Sequence, residues 1–309
     1  MENQCHFVSS RGLLKICDFH SDYPRSSCSN DTLYLFDMIE STKMHNGMSI
    51  YICNDILPFF IITILPQISN TFVLVSGDSD TTVPDEIINK SQYNSLTQQP
   101  LLIKWFIQNT IIQDCDKIVQ LPIGLDYHTI SNNPTHHWKM ENEGHLPKCQ
   151  EDILLEIKHT ALPFQERSMQ IYVNMSTQND RFNQRGPALQ QIHKPLMSLN
   201  QIFTPRTENW RNISQFAFAL SPYGNGMDCH RTWEILCLGA IPIVCAPHFR
   251  QLFQDLPVLN VNSWSEITEE LLNNTIRDFS TNIERCKRFN YNKLTLEYWR
   301  NLITNYKSI

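Results

Sequence analysis

The sequence has no internal repeat, no charged tail and no extended low-complexity tract. Apolar residues make up 41% against 18% charged, and with 16 Phe, 10 Tyr and 6 Trp the chain is too hydrophobic and too aromatic to stay disordered. Positive charge is not in excess: 25 Lys and Arg face 31 Asp and Glu, a formal charge of -6. General attraction of the surface to a nucleic-acid backbone is therefore not expected, although a local basic pocket remains open. No CxxC occurs among the ten cysteines (Cys5, Cys17, Cys28, Cys53, Cys115, Cys149, Cys229, Cys237, Cys245, Cys286), which are scattered and often sit in apolar runs. That argues against a disulfide framework or a zinc knuckle and for buried thiols in a reducing compartment, the cytoplasm. The first ten residues lack a basic segment followed by an apolar one, so no secretory signal is expected. No apolar run reaches the roughly 20 residues of a spanning helix. The most hydrophobic stretch, Ile56 to Leu65, contains Pro58 and ends at Pro66, and reads as a core segment.

What the sequence does have is a series of short apolar runs rich in branched or aromatic residues. They are Met48 to Ile52, Thr71 to Ser76, Leu101 to Ile107, Lys117 to Leu121, Gln170 to Met175, Phe216 to Leu220, Ile241 to Cys245 and Val258 to Val261. Most are bounded by Gly, Pro, Asn or Asp and do not alternate with polar residues, the pattern of parallel strands buried on both faces. Helical patterns lie between many of them, which predicts an α/β architecture. The length favours two domains. The polar, His-rich stretch Thr129 to Lys148 reads as a surface loop or linker, and the division is expected near residue 160. This gives lobes over 1–160 and 161–290, with a C-terminal helix in 291–309 whose apolar face (Tyr298, Trp299, Leu302, Ile303, Tyr306) needs a partner.

Chemistry concentrates in residues 221–244. Phe216 to Leu220 predicts a strand, Ser221-Pro-Tyr-Gly-Asn-Gly226 a turn-rich loop, and Cys229 to Leu238 a helix capped by Asp228 and ended by Gly239. Gly224 and Gly226, flanking Asn225, allow close backbone approach to an anion. The first helical turn offers N–H groups and the positive end of the dipole. Arg231 lies in that turn and supplies a planar fork of donors for a diphosphate. Glu234, three residues on, can accept two hydrogen bonds from vicinal ribose hydroxyls. The bland alternative is an i, i+3 surface pair on an ordinary βαβ helix. A capping box, Ser263-Trp-Ser-Glu266, predicts a further helix start.

The string Ser-Pro-Tyr-Gly-Asn-Gly-x-Asp-x-x-Arg-x-x-Glu-x-x-x-x-Gly-x-Ile-Pro-Ile-Val resembles the nucleotide-sugar-binding motif of exostosin-like glycosyltransferases of the GT-B fold. The resemblance runs over residues 170 to 262. It implies two Rossmann-like parallel-sheet lobes, a C-terminal helix packing across them, and a sugar transferred from a nucleoside-diphosphate sugar to a hydroxyl acceptor, a glycan or another. Arg231 would meet the donor phosphates, Glu234 the ribose, and Gly224, Asn225 and Gly226 the pyrophosphate or sugar. Arg181, soon after the strand that opens the second lobe, would be a second cation for phosphate. No cofactor or metal is implied beyond the nucleotide sugar as co-substrate. Retaining enzymes of this fold often carry a second acidic residue a short way past the first. Pro242 stands eight residues after Glu234, which tilts the expectation toward inversion.

The first lobe lies outside the motif. Phe72-Val-Leu-Val-Ser76 is followed by Gly77-Asp-Ser-Asp-Thr81, and residues just beyond a parallel strand's C-terminal end face the ligand crevice. Asp80, or else Asp78, is therefore the expected general base, with Asp126 and His128 in reserve. Asp78-Ser-Asp80 is also a DxD, the metal and diphosphate signature of the rival GT-A fold. With acidic residues near a tenth of the chain such pairs arise by chance, as Asp114-Cys-Asp116 and Glu141-Asn-Glu143 do. His136, His137, His145 and Cys149 could hold zinc only in a spacing that matches no standard site. Two further readings stay open: a non-catalytic nucleotide-sugar or glycan-binding module, and a metal-dependent transferase using Asp78 and Asp80.

Overall fold

The computed structural model describes residues 2–22, 31–40, 44–140, 144–178, 180–200, 204–284 and 289–307. Cys28, Cys286 and the pair Glu141-Asn-Glu143 lie outside these. Nine strands form among them: β1 (Met48–Cys53), β2 (Phe72–Gly77), β3 (Leu102–Ile107), β4 (Ile118–Gln120), β5 (Ser168–Val173), β6 (Met197–Leu199), β7 (Phe216–Leu220), β8 (Ile241–Val244) and β9 (Leu259–Asn260). They make two sheets, a four-stranded one in the order β1-β2-β3-β4 and a five-stranded one in the order β6-β5-β7-β8-β9, with every pairing parallel. The fold is α/β with two parallel sheets, consistent with Rossmann-like lobes. Eight of the strands coincide with the apolar runs of the sequence.

The pleat sends successive residues to opposite faces, and both faces are apolar. On β2, Phe72 and Leu74 join Phe60, Ile64 and Trp105 on one side. Val73 and Val75 join Phe106, Leu13, Trp299 and Ile303 on the other. In the second sheet Ile171, Val173, Phe218 and Ile243 form an outer cluster, while Tyr172 and Ala219 turn inward to Trp210 and Trp233. That inward cluster is continuous with the inner face of the first sheet, so one hydrophobic body runs through both lobes. The segment Ile56 to Leu65 is a succession of short helical turns with Ile56, Leu57, Phe60, Ile61, Ile64 and Leu65 buried, the core segment expected of it.

The C-terminal helix, Leu296–Lys307, lies against β1, β2 and β3, and the turn before it, Tyr291–Leu294, meets the helix His230–Cys237 of the second lobe. Backbone hydrogen bonds from Val8 N–H to Leu294 O and from Leu296 N–H to His6 O tie the two ends of the chain together.

Three local expectations need correction. Asp228 does not cap the helix His230–Cys237, whose N-cap residue Cys229 makes no side-chain cap. Instead Asp228 Oδ2 accepts the N–H of Ile123 at 2.7 Å and Oδ1 that of Trp233 Nε1 at 2.9 Å, a buried tie between lobes. Ser263 opens only a single 3-10 turn, Trp264–Glu266. The long helix begins at Glu269, with the Thr268 hydroxyl accepting from Leu271 N–H, because Ile267 is extended and breaks the turn. Finally, Thr129 to Lys148 is not merely a surface linker: His136, His137 and Trp138 line the cleft between the sheets.

The other end of the helix His230–Cys237 is as the sequence predicts. Gly239 has φ +74°, with Gly239 N–H bonded to Leu236 O and Ala240 N–H to Ile235 O, a Schellman motif. Gly239→Ala is expected to destabilise the fold by about 1 to 2 kcal/mol, the cost of an L side chain in the left-handed region. Urea unfolding of the two proteins checks this, and an unchanged midpoint would contradict it.

Candidate functional site

The second sheet's order reverses between β5 and β7, and ligands of open α/β sheets bind beyond the strand C-termini at such a point. There the chain opens a cleft of about 570 Å³. Its second-lobe wall is Asn174, Met175 and Ser176 after β5, and Gly224, Asn225, Gly226, His230, Arg231 and Glu234 after β7. The glycine loop and the helix start are thus brought together as the sequence predicts. Arg231 is half-buried on this wall, and among the described residues its guanidinium has neither a hydrogen bond nor an ion pair. Burial pulls it below its ordinary value and Arg185 adds to this, while Glu234 opposes. A desolvated cation without a protein partner, beside an uncapped helix N-terminus, is a seat for an anion. Glu234 is buried, with Oε1 3.6 Å from Arg206 Nε.

The facing wall comes from the first lobe. Asp78 has φ +54° and Asn109, after β3, also φ +54°; both are non-glycine residues in the left-handed region, a conformation that clusters at functional sites. The two candidate carboxylates have different environments. Asp78 is buried, with Oδ2 3.2 Å from Arg11 Nε. Burial pushes its carboxyl up to about 6, against the pull of Arg11 and His230. Asp80 is half-buried and reaches the loop Gly224 to Gly226, where its Oδ1 would stand 3.2 Å from a Cβ added at Gly226. Burial raises it too, opposed by His230 and Arg181. Asn109 clamps the two walls: its Nδ2 donates to Ser79 O at 2.7 Å and its Oδ1 accepts Asp228 N–H at 2.9 Å. Gly226 therefore serves close approach between lobes, since a side chain there would press on both Asn109 and Asp80.

At the base of the cleft sits a buried network. Arg206 donates through Nη1 to Asp126 O and to Gln150 Oε1, and pairs through Nη2 with Asp126 Oδ2 at 3.3 Å. Burial alone would raise Asp126, but Arg206, His128, His230 and the Thr129 N–H hold its carboxyl well below the usual carboxylate range. His128, with Nδ1 3.4 Å from Asp126 Oδ1, is lowered to about 4 by burial, with His230, Arg11 and Arg206 adding, and is neutral at pH 7. These reserve candidates are thus structural partners of one another. His230 is different. Its Nδ1 lies 2.7 Å from Gly124 O and its ring borders the cleft.

Arg181 lies at the cleft's mouth rather than on its wall. It pairs with Glu86 and donates to the carbonyls of Asp80 and Asn225, stapling the two loops. Arg185, four residues later, lines the cleft and is held by Tyr223 O and Ser176 O. Asp114 and Asp116 are exposed away from it. Among the described residues no three His, Cys, Asp or Glu side chains gather as metal ligands would, His136, His137, His145 and Cys149 included. No described helix is long and apolar enough to cross a membrane. Sequence reasoning missed Arg11, Asn109, Arg206 and His230. The first three act through partners distant in the chain, and only His230, inside the motif string, carried a local signal. No protein-family model matches the chain and no curated protein is significantly similar to it.

Proposed function

We propose that this chain is a glycosyltransferase of the exostosin-like, GT-B type, moving a sugar from a nucleoside-diphosphate sugar to a hydroxyl acceptor. The observation that carries this reading is Arg231, a half-buried guanidinium without a protein partner among the described residues, at an uncapped helix N-terminus across a cleft from Asp80. The diphosphate takes Arg231 and the helix end, and Glu234 takes the ribose. The acceptor approaches from the first lobe. Return of the chain through Tyr291–Leu294 to a helix on the first sheet supports the GT-B arrangement. Transfer is metal-independent in this reading, because Asp78 is neutralised by Arg11 and so is a poor half of a metal-binding pair with Asp80.

A thermal-shift screen against a panel of nucleotide sugars tests the reading, since a ligand of the native state alone raises the melting temperature. At a hundred times its Kd the matching donor stabilises the protein by about 2.7 kcal/mol. Turnover of that donor, labelled in the sugar and in the presence of a strong chelator, separates a transferase from a binding module. Failure of every donor to bind would end the proposal.

A further inference from the structure

We propose that His230 is the catalytic base, its Nε2 taking the proton of the acceptor hydroxyl; this rests on the glycosyltransferase reading above. A carbonyl oxygen only accepts, so the 2.7 Å contact between His230 Nδ1 and Gly124 O puts a hydrogen on Nδ1. In the neutral ring Nε2 then carries the lone pair. The ring borders the cleft as the first residue of the helix His230–Cys237, next to Arg231. The orienting partner is therefore on the far nitrogen, the arrangement that fixes a catalytic imidazole's tautomer.

Three buried carboxylates of the cleft are committed. Asp78 is paired with Arg11, Asp126 with Arg206, and Asp228 with Ile123 and Trp233. Asp80 is free of such a pair, and its Oδ1 would stand 3.2 Å from a Cβ added at Gly226. Asp80 suits the role of counter-charge: Asp78, Asp80, Asp126 and Asp228 are all held down by the charge of His230. In the step, the acceptor oxygen bonds to the anomeric carbon as its proton passes to Nε2. The bond from that carbon to the diphosphate oxygen breaks, and the diphosphate leaves with the electron pair toward Arg231. The imidazolium returns its proton to solvent after product release.

The titratable groups around the ring are Asp78 and Asp80 after β2, Asp126 and His128 from the first-lobe loop, and Asp228 just before its own helix, while Arg231, next on that helix, borders the same cleft. A base must be unprotonated, so kcat/KM should fall as pH falls through the ring's pKa. His230→Asn keeps an amide donor for Gly124 O and removes the base. Its kcat is expected to fall by about a hundredfold or more with donor Kd, from calorimetry, within about twofold, and its acid limb should vanish. Asp80→Asn should keep at least about a tenth of the activity, since Asp80 is a counter-charge and not the proton acceptor. Nitrogen NMR of the wild-type ring at neutral pH should find Nε2 without hydrogen, a readout independent of whether the variant folds. The inference is overturned if His230→Asn stays active, if its donor affinity falls in step with kcat, if Asp80→Asn alone abolishes transfer, or if Nε2 carries the hydrogen. A wild-type protein that transfers no sugar overturns the glycosyltransferase reading itself and this inference with it, whereas an active His230→Asn removes only the base.

Discussion

Arg231→Ala is expected to weaken nucleotide-sugar binding by about ten- to a hundredfold while leaving the melting temperature of the free protein unchanged. The size follows from losing charge-assisted hydrogen bonds worth about 1.5 to 3 kcal/mol, at about 1.4 kcal/mol per factor of ten. The unchanged stability follows from the geometry, because the guanidinium has no partner among the described residues for its loss to strand. Removing a half-buried cation from an uncapped helix end even relieves a desolvated charge. Calorimetry with the donor found in the screen, beside a melting curve without it, checks both halves. A variant that binds like wild type would leave Arg231 as scaffold. One that binds weakly but is also much less stable would make the loss a folding effect. Glu234→Ala is less clean: Glu234 is an ion-pair partner of Arg206, so its loss disturbs the network beneath the cleft as well as the ribose contact.

How far the sequence disclosed this molecule depends on how local each feature is. Apolar runs bounded by turn residues mark strands whether buried on both faces, as β1 and β2 are, or half-buried, as β9 is, so β1 to β5 and β7 to β9 could be read directly. Met197–Leu199 could not: it is a three-residue edge strand after Pro195, with Leu199 exposed, too short and too polar to leave a run. The second-lobe wall was legible because its glycines, cation and carboxylate all fall within residues 221–234, one loop and one helix turn. Helix ends were less so. Asp228 has the right residue type for a cap, but its carboxylate goes instead to Ile123 N–H, 105 residues away, and to Trp233 Nε1 on the helix itself.

The first-lobe wall was read only halfway for the same reason. A strand followed by Gly-Asp-Ser-Asp identifies acidic residues at a crevice, but spacing cannot say that Arg11 closes on Asp78 and leaves Asp80 to meet Gly226. Nor can it separate Arg181 from Arg185. Both follow β5, and which one lines the cleft depends on Glu86, far away in the first lobe, capturing Arg181. The network under the cleft was invisible altogether, since Arg206 and Asp126 are 80 residues apart and lie in different lobes of the expected division.

That pair gives the largest expected effect on stability. Arg206→Met keeps much of the side chain's bulk and removes its charge, stranding the buried carboxylates of Asp126 and Glu234 near one another. Breaking a buried pair from one side costs about 3 to 5 kcal/mol. Protonation should modulate that cost in a definite direction. In the wild type Asp126 is held below its unfolded value of about 3.9, so its contribution is full above that value and is lost as pH falls toward the folded one. Without Arg206 the strongest attraction opposing burial is gone, and the folded value rises from where the wild type holds it. The folded variant then takes up its proton at a higher pH than the folded wild type, so the stability difference between the two shrinks as pH falls through the variant's folded value. The gap between the two proteins in urea unfolding should therefore be wide at pH 7 and narrow at pH 4. A gap of the same width at both would mean that Arg206 stabilises through its stacking on Trp138 and Trp210, at 5.7 and 5.6 Å, and not through the carboxylates.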